Sequence, residues 1–222
     1  MKDEDRLVRF DWAAKRILRD KANFGVLEGL VSVLTGQQIK IVEILESEGN
    51  QDRPDAKFNR VDIMARNDKG ELIIIEIQLT RQVHYLERIL FGVGKALSDH
   101  IDKGNPYKDV KKIYSISILY FDIGRGDDYA YHGQTVFTGL HSGQKFELSQ
   151  RDRLGLDIKA PEEVFPEYYL ICVNKFDDIA RTPLDEWMDY LKNDRVKEGT
   201  TTPGLKEAAE KLRYLKMSPA EK

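Results

Sequence analysis

Cysteine is almost absent from this sequence of 222 residues, which contains only Cys172. A single cysteine excludes an intramolecular disulfide and a cysteine-rich zinc site. Its apolar neighbours in YYLICV favour a buried small side chain over a nucleophile. No apolar run reaches the ~18 residues that a transmembrane helix requires. The amino-terminal segment MKDEDRLVRFDW lacks the apolar core of a signal peptide, so we expect a protein of the reducing cytoplasm.

An excess of positive charge is also lacking, because the formal net charge is −3. A nucleic-acid surface would therefore have to be a local patch. The sequence contains no phosphate-cradling glycine loop, no His-Glu-x-x-His and no nucleophile elbow. Its four histidines show no metal-ligand spacing, which predicts structural or exposed roles for His84, His100, His132 and His141. Any chemistry must rest on other side chains.

The segment Arg60–Leu79 predicts a β-hairpin. Val61–Arg66 alternates apolar and polar side chains, whereas Leu72–Leu79 is a nearly continuous β-branched run. The turn residues between them place Gly70 where a left-handed conformation is needed. The second strand is apolar on both faces, which predicts a central position in a sheet.

The hairpin brings two carboxylates together. If its loop has three residues, Asn67 faces Glu71 and Asp62 lies directly opposite Glu76. A shift of one residue would make the two carboxylates diagonal neighbours on adjacent strands. Side chains repeat every second residue along a strand, so Glu76 and Gln78 share a face. The sequence therefore predicts a polar cluster on an apolar hairpin.

Opposed carboxylates have Cβ atoms about 5 Å apart and repel each other, unless a cation lies between them. A hard divalent ion with oxygen ligands is the simplest candidate. The alternative is a hairpin with one solvated face, where Asp, Glu and Gln need no special explanation. The central position predicted for Leu72–Leu79 favours the functional interpretation, because a central strand rarely carries an idle carboxylate.

The rest of the chain alternates between helical and extended patterns. The predicted helices are residues 11–34 with a break at 20–23, Gln82–Lys103, Leu184–Leu191 and Leu205–Leu215. The predicted strands are Ile39–Ser47, Lys112–Phe121, Thr135–Phe137, Lys145–Leu148 and Tyr168–Val173. Polar loops are expected at Gly49–Lys57 and Gly124–Tyr131.

Three features carry alternative interpretations. Arg88 and Lys95 lie seven residues apart in Gln82–Lys103, so they share a helix face that could follow a phosphate backbone or be an ordinary solvated face. Glu28, beside an apolar stripe, is either a boundary residue or an extra carboxylate aimed at the site. Lys57 is either a loop lysine or a site residue.

In Gln82–Lys103, the predicted apolar face consists of Val83, Leu86, Ile89, Leu90, Val93, Leu97 and Ile101.

The carboxyl-terminal part of the chain predicts a separate helical extension. Arg195–Pro203 is a linker rich in Gly and Thr, which places a domain at residues 1–194 and a linker with a helix at residues 195–222. Residues 218–221, Ser-Pro-Ala-Glu, have the form of a capping box that starts another helix. We therefore expect that the natural chain continues further.

The order helix, strand, Asp-bearing strand, Glu-x-Gln strand, helix and strand resembles the core of the PD-(D/E)xK nuclease superfamily. Within it, the chain is similar to the recombination-promoting nuclease/putative transposase family. The resemblance is carried by FGVLEGLVSVL, IKIVEILESE, KFNRVDIMARNDKGELIIIEIQ, YLERILFGVGKAL, KGNPYKDVKKIYSISILYF, FPEYYLI and LDEWMDYL. It implies an α/β fold with a restriction-endonuclease-like core, in which helices flank a mixed central β-sheet and a helical extension follows.

The resemblance also implies a metal-dependent DNA endonuclease that uses Mg²⁺, with Mn²⁺ as a substitute. Asp62 and Glu76 match the two acidic metal ligands, and the backbone carbonyl of Ile77 is implied as a further ligand. Gln78 stands where the family usually has a lysine. Glu28 corresponds to the acidic residue of the first core helix. DNA is the implied partner, and cleavage of both strands would call for a homodimer.

The glutamine at position 78 is a departure from the family pattern. Gln78 can orient a water molecule, but it carries no charge and cannot accept a proton at neutral pH. A second metal, a base from bulk solvent, or a cation from the next helix, Arg88 or Lys95, could compensate. The alternative is a catalytically weak or inactive DNA-binding or assembly module that retains the nuclease fold.

Overall fold

Six strands form one mixed sheet, in the order β1-β2-β3-β4-β6-β5, in a computed structural model that describes residues 14–21, 24–45, 61–101, 106–156, 158 and 160–216. The strands are β1 (Ile41–Leu45), β2 (Ile63–Asn67), β3 (Leu72–Gln78), β4 (Ile113–Leu119), β5 (Ala130–Gly133) and β6 (Glu167–Cys172). The helices are α1 (residues 14–18), α2 (Gly25–Thr35), α3 (Tyr85–Asp99), α4 (Gln150–Leu156), α5 (Pro183–Asn193) and α6 (Leu205–Lys216). Strands β3, β4 and β6 run parallel, and the other neighbouring pairs are antiparallel. The expected mixed sheet between helices is confirmed.

The β2–β3 hairpin has a three-residue loop, the first of the two arrangements that the sequence left open, and Asn67 faces Glu71. Gly70 adopts the left-handed conformation, with φ of 78°. The side-chain oxygen of Asn67 accepts hydrogen bonds from the backbone N–H groups of Lys69 and Glu71, which fixes the turn. Ile63 pairs with Ile75. The same register, continued by one residue, sets Asp62 opposite Glu76 at the end of the sheet remote from the turn.

Strand β3 is the central strand that its composition predicted. All of its residues from Leu72 to Ile77 are buried, since β2 covers one edge and β4 the other. On one face, α1, α2, α5 and α6 pack over Ile73, Ile75 and Ile77. On the other face, α3 packs over Leu72 and Ile74. Helix α6 belongs to the first layer, in which Leu205, Ala208 and Leu212 are buried.

Helix α3 begins later than predicted and buries a different face. His84 has a left-handed backbone, with φ of 63°, so the helix starts at Tyr85 rather than at Gln82. Tyr85 and Ile89 pack with Leu119 and thereby fix the rotation of the helix. The predicted apolar face is therefore partly wrong, because Val83, Leu86 and Leu90 are exposed. The predicted end at Lys103 is also wrong, because the helix ends at Asp99 and His100 follows it as the cap.

Sequence patterns described the region after β4 poorly. The predicted strands at Thr135–Phe137 and Lys145–Leu148 are reduced to one isolated bridge between Thr138 and Lys145. Strand β5 lies partly in the expected polar loop, because it is held by backbone pairing with β6 rather than by an apolar pattern. Helix α4 was not predicted. The expected Gly49–Lys57 loop and the capping box at 218–221 lie outside the described residues.

Helix α5, predicted over Leu184–Leu191, runs from Pro183 to Asn193. Thr182 caps it, because its hydroxyl oxygen accepts a hydrogen bond from the backbone N–H of Asp185 and the Asp185 carboxylate accepts one from the backbone N–H of Thr182. In the part of the chain that the structure describes, no helix combines the length and the apolar character needed to cross a membrane.

We predict that Gly29→Ala destabilises the protein by about 1–3 kcal/mol, as overpacking does in other cores. A Cβ at this position of α2 would lie 2.6 Å from the Cα of Gly204 and closer still to the carbonyl group of Pro203. Denaturant unfolding measures the loss. Gly94→Ala is the matched control, since a Cβ there meets no atom within 4 Å on an exposed part of α3 and should leave stability equal or raise it. Equal loss in both variants would contradict this role of Gly29.

Candidate active site

The end of the sheet where β2 begins and β3 finishes is held by a side chain instead of a ladder bond. The odd-numbered residues of β3 direct their backbone groups toward β2, as the pair of Asn67 with Glu71 shows. Continued regularly, the ladder would join Ile77 to Val61. Instead, the backbone N–H of Ile77 donates to Oδ2 of Asp62 at 2.7 Å. The Asp62 carboxylate is therefore fixed against the backbone of β3 at the open end of the hairpin, remote from the turn.

The second oxygen of Asp62 contacts a cation. The ammonium group of Lys15, on α1, lies 3.1 Å from Oδ1 of Asp62, and both side chains are mostly buried. Sequence reasoning missed this lysine. The available signal was its position between the apolar Ala14 and Ile17, both of which face the core. The charge of Asp62 is thus balanced from the layer that contains α1.

Glu76 lies on the opposite side of this arrangement, facing α3, and only 3% of the residue is exposed. Its Oε2 accepts a long hydrogen bond of 3.5 Å from the hydroxyl of Tyr85 and lies 3.4 Å from Nε of Arg88. Burial raises the pKa of Glu76 above its ordinary value; the Arg88 charge opposes this rise and the Asp62 charge adds to it. The two carboxylates are close enough to influence each other's ionisation, as the pairing of their strands predicts.

The polar contacts next to Glu76 are long. Nε of Arg88 is buried and makes no regular hydrogen bond within the described residues, so its contact with Glu76 is the 3.4 Å ion pair. Ser117 pairs with Glu76 across β3 and β4, and its buried hydroxyl lies near that of Tyr85. Among the described residues, the Glu76 carboxylate therefore has long contacts with Tyr85 and Arg88 rather than short hydrogen bonds.

Gln78 forms part of a short polar network that leads back to Arg88. Its side-chain oxygen accepts a hydrogen bond from Gln82 at 3.3 Å, and the oxygen of Gln82 accepts one from Arg88 Nη1 at 2.9 Å. Gln78 shares its strand face with Glu76, two residues earlier. The network therefore fixes the amide of Gln78 close to the carboxylates and draws Arg88 toward them.

The backbone carbonyl of Ile77 points toward Asp62. Carbonyl groups of successive strand residues point to opposite edges, and that of Gln78 accepts a hydrogen bond from Tyr120 on the β4 side. The carbonyl of Ile77 consequently points to the β2 side, where Asp62 lies. The side chain of Ile77, by contrast, is buried in the core under the opposite layer.

Two predicted site residues are not brought to this place. Oε1 of Glu28 accepts a hydrogen bond of 2.8 Å from the backbone N–H of Ile41. Ile41 pairs with Asn67 beside the hairpin turn, which is five strand residues, or roughly 16 Å, from Asp62. Glu28 therefore holds α2 to the start of β1, so it has a structural role rather than the role of an extra carboxylate at the site.

Lys95 also lies away from the carboxylates. Its ammonium group is 3.1 Å from Asp99, one turn further along α3, and Arg88 is about 10 Å away along the helix axis. Arg88 itself faces Glu76 rather than an open helix surface. It therefore lies at the site and does not form, with Lys95, a helix face that could follow a phosphate backbone. Lys57 lies outside the described residues.

The oxygen atoms at this place suit a divalent cation. Asp62 and Glu76 supply carboxylate oxygens, and Ile77 supplies a carbonyl directed to the same side. Among the described residues, no group of three or more His, Cys, Asp or Glu side chains is arranged to hold a metal. Mg²⁺ characteristically takes one or two carboxylates and completes its shell with water and substrate phosphates. Two carboxylates on adjacent strands fit that mode.

Comparison with known proteins gives one match. The family model described as PD-(D/E)XK nuclease family transposase matches residues 8–153. This span contains β1 to β5 and the residues of the candidate site, Lys15, Asp62, Glu76, Gln78 and Arg88. Helices α5 and α6 lie beyond the matched span. Neither the comparison with curated proteins nor the comparison with solved structures found a match.

We predict that Asp62→Ala unfolds more easily than Asp62→Asn. Alanine leaves the buried N–H of Ile77 without an acceptor, which costs about 1–3 kcal/mol. Asparagine keeps an oxygen for that N–H and loses only the ion pair with Lys15, which is partly exposed and worth less. Denaturant unfolding in EDTA measures both variants. Equal stability of the two would show that the bond to Ile77 contributes nothing.

The raised pKa of Glu76 predicts a pH-dependent stability. A carboxyl group whose pKa is higher in the folded state stabilises the fold below its unfolded pKa, near 4.5, and this contribution is lost as the pH rises through the folded value. Thermal melts in EDTA from pH 4 upward should show this decline in the wild type and not in Glu76→Gln. The variant also loses the ion pair between residue 76 and Arg88, which lowers its stability at every pH. The change of stability with pH, rather than its absolute value, therefore tests the prediction. The same pH dependence in both proteins would contradict it.

Proposed function

This chain belongs to the PD-(D/E)XK nuclease family transposases, nucleases that act on DNA and generally use divalent metals, and we propose that it is an endonuclease that hydrolyses the phosphodiester bonds of DNA with Mg²⁺. The observation that carries the proposal is the pairing of Asp62 with Glu76. The hairpin register, continued by one residue beyond the pair of Ile63 with Ile75, sets the two residues opposite each other, and the Asp62 charge contributes to the raised pKa of Glu76.

Asp62, Glu76 and the carbonyl of Ile77 are the groups that would hold the ion. Bound there, Mg²⁺, or Mn²⁺ in its place, would lower the pKa of a coordinated water and neutralise charge on the phosphate. The pKa of Glu76 is raised because burial outweighs the opposing charge of Arg88, so a further cation beside the carboxylate would favour its ionised form.

The side chains around the carboxylates have separable tasks. Gln78, fixed by Gln82, orients the attacking water through hydrogen bonds. Lys15 and Arg88 bring positive charge to the two carboxylates from opposite layers, and such charges stabilise a phosphate that gains negative charge in the transition state. Burial and the charge of Glu76 raise the pKa of Tyr85, so its hydroxyl stays protonated and continues to donate to Glu76.

Lys15 and Arg88 supply the positive charge that a lysine at position 78 would bring. They do not replace such a lysine as a proton acceptor, so the proton of the attacking water leaves to solvent. The setting that we propose is DNA recombination or the movement of mobile elements in the bacterial cytoplasm. Cleavage of both strands would need two such sites, hence a homodimer.

A second function is favoured by the same ion pairs. Asp62 and Glu76 are already paired with Lys15 and Arg88, so the site can balance its charges without a metal. Combined with the neutral Gln78, this pairing is compatible with a DNA-binding or assembly module that retains the nuclease fold and does not cleave. Activity measurements on folded protein separate the two functions.

We predict that the wild type nicks supercoiled plasmid in the presence of Mg²⁺ or Mn²⁺ and not in EDTA. Asp62→Asn and Glu76→Gln should each slow nicking by more than about 100-fold, because each removes one of the two carboxylates that hold the ion. Asp62→Asn is preferred to alanine here because it keeps the acceptor for Ile77. Gel electrophoresis of the plasmid, with initial rates, measures the effect.

Lys69→Glu is the control for this assay, since Lys69 is exposed at the hairpin turn, far from the carboxylates. Its nicking rate should equal that of the wild type. Folded wild-type protein that never nicks DNA with either metal would disprove the endonuclease and leave the binding module. Nicking that persists in both carboxylate variants would place the chemistry elsewhere.

A further inference from the structure

Helix α3 carries an exposed apolar stripe. Leu86 and Leu90 are 55% and 63% exposed, although they lie one turn apart on a helix that packs on the sheet. Val83, just before the first turn, is 83% exposed and extends the stripe. Single exposed apolar residues are ordinary, whereas a contiguous group on one element marks a surface that another molecule covers.

The stripe points away from the carboxylates. Each helical residue turns the chain by about 100°, so Leu86 and Leu90, two residues before and after Arg88, lie almost on the opposite side of the helix from it. Arg88 faces Glu76 on β3. A molecule that covered the stripe would therefore leave the candidate active site open.

An exposed glycine lies on the same stripe, one turn after Leu90. Gly94 is in the interior of α3, where glycine costs about 1 kcal/mol relative to alanine. Its own fold does not require it, because a Cβ there would meet no atom within 4 Å. Glycine allows a neighbouring chain to approach the helix backbone closely, which gives this position a use in an interface.

The stripe has the same spacing when read from either end. Intervals of three, four, four and three residues separate its members, Val83, Leu86, Leu90, Gly94 and Leu97. Two copies of α3 packed antiparallel about a two-fold axis at Leu90 would set Leu86 over Gly94 of the partner subunit, and Leu90 against the partner's Leu90. Val83 would meet the partner's Leu97. Such a patch is self-complementary, as an isologous dimer interface requires.

The sheet beside α3 adds apolar area on the same side. Because Arg88 is turned toward β3, the stripe faces the side of β6, which lies beyond β4. There, Tyr168 and Leu170 are only partly buried, and Tyr131 of β5, which pairs with Leu170, is 36% exposed. A specific interface covers about 800 Å² on each partner, so these strands would contribute to it together with the helix.

We propose that α3 forms the interface of a homodimer, in which the helices of two copies pack antiparallel about a two-fold axis at Leu90. DNA does not suit this surface, since the stripe contains no charged side chain to meet phosphates. The inference goes beyond the proposed function, because association of the folded chain does not depend on cleavage. Both candidate sites would lie outside the interface, on helices that the dimer holds together.

The first test is sedimentation equilibrium of the full chain in EDTA, over a range of protein concentrations. The wild type should be a dimer in equilibrium with its monomer. Leu86→Lys/Leu90→Lys should raise the dimer dissociation constant by more than about 100-fold, because like charges would face each other in an apolar interface. Both positions are exposed and lysine is a good helix former, so the monomer should stay folded in thermal melts.

Leu140→Lys/Leu154→Lys is the matched control. It makes the same two exchanges at leucines that are 97% and 80% exposed and lie outside α3. Its dissociation constant should equal that of the wild type. This control separates a loss of the α3 interface from a general effect of added positive charge.

Disulfide cross-linking tests the position of the axis. Leu90→Cys should form a covalent dimer under mild oxidation, because the two introduced thiols would meet at the axis; the natural Cys172 is buried. Leu86→Cys should not, since its two copies would be eight residues, or about 12 Å, apart along the helices, beyond the reach of a disulfide. Non-reducing gel electrophoresis measures both variants.

A wild type that is monomeric at every concentration, equal weakening in the Leu140 and Leu154 control, or equal cross-linking through positions 86 and 90 would each overturn the proposal. Plasmid cleavage separates it from the proposed function. A dimer that loses association in Leu86→Lys/Leu90→Lys and never nicks DNA supports the interface and removes the endonuclease. A monomeric wild type that nicks DNA removes only the interface.

Discussion

The hydrogen bond from the backbone N–H of Ile77 to the carboxylate of Asp62 is the constraint on which the site depends. It replaces the next rung of the β2–β3 ladder, so the end of the hairpin is held by a charged side chain. The same bond sets Asp62 beside Glu76 and leaves the carbonyl of Ile77 pointing to the carboxylate side. Fold and candidate chemistry therefore share one contact, and Asp62 cannot be removed without affecting both.

Charge balance across the sheet follows from that arrangement. Lys15 reaches Asp62 from the layer of α1, whereas Arg88 reaches Glu76 from α3 on the other face. Burial still raises the pKa of Glu76 in spite of Arg88, whose Nε lies 3.4 Å from the carboxylate. A buried carboxyl group with a raised pKa, beside a second carboxylate, is typical of functional sites.

The hairpin was predictable because all its determinants are local. Turn residues and alternation predicted the hairpin and the central position of β3 and left two registers open, of which the structure has the one with a three-residue loop. The face of α3 was not predictable from periodicity, since the left-handed His84 shifts its start and Tyr85 sets its rotation against another strand. Glu28 has the pattern of a site residue and holds the backbone of Ile41 instead.

The sequence by itself determined the fold class and the juxtaposition of Asp62 with Glu76, because strand pairing across a short turn depends only on residues close along the chain. Only the tertiary structure decided which cations meet these carboxylates. Lys15 is remote from Asp62 in sequence, and Arg88 lies on a helix whose rotation depends on contacts with β4. The long-range packing of α1 and α3 on the sheet therefore set the electrostatics of the site.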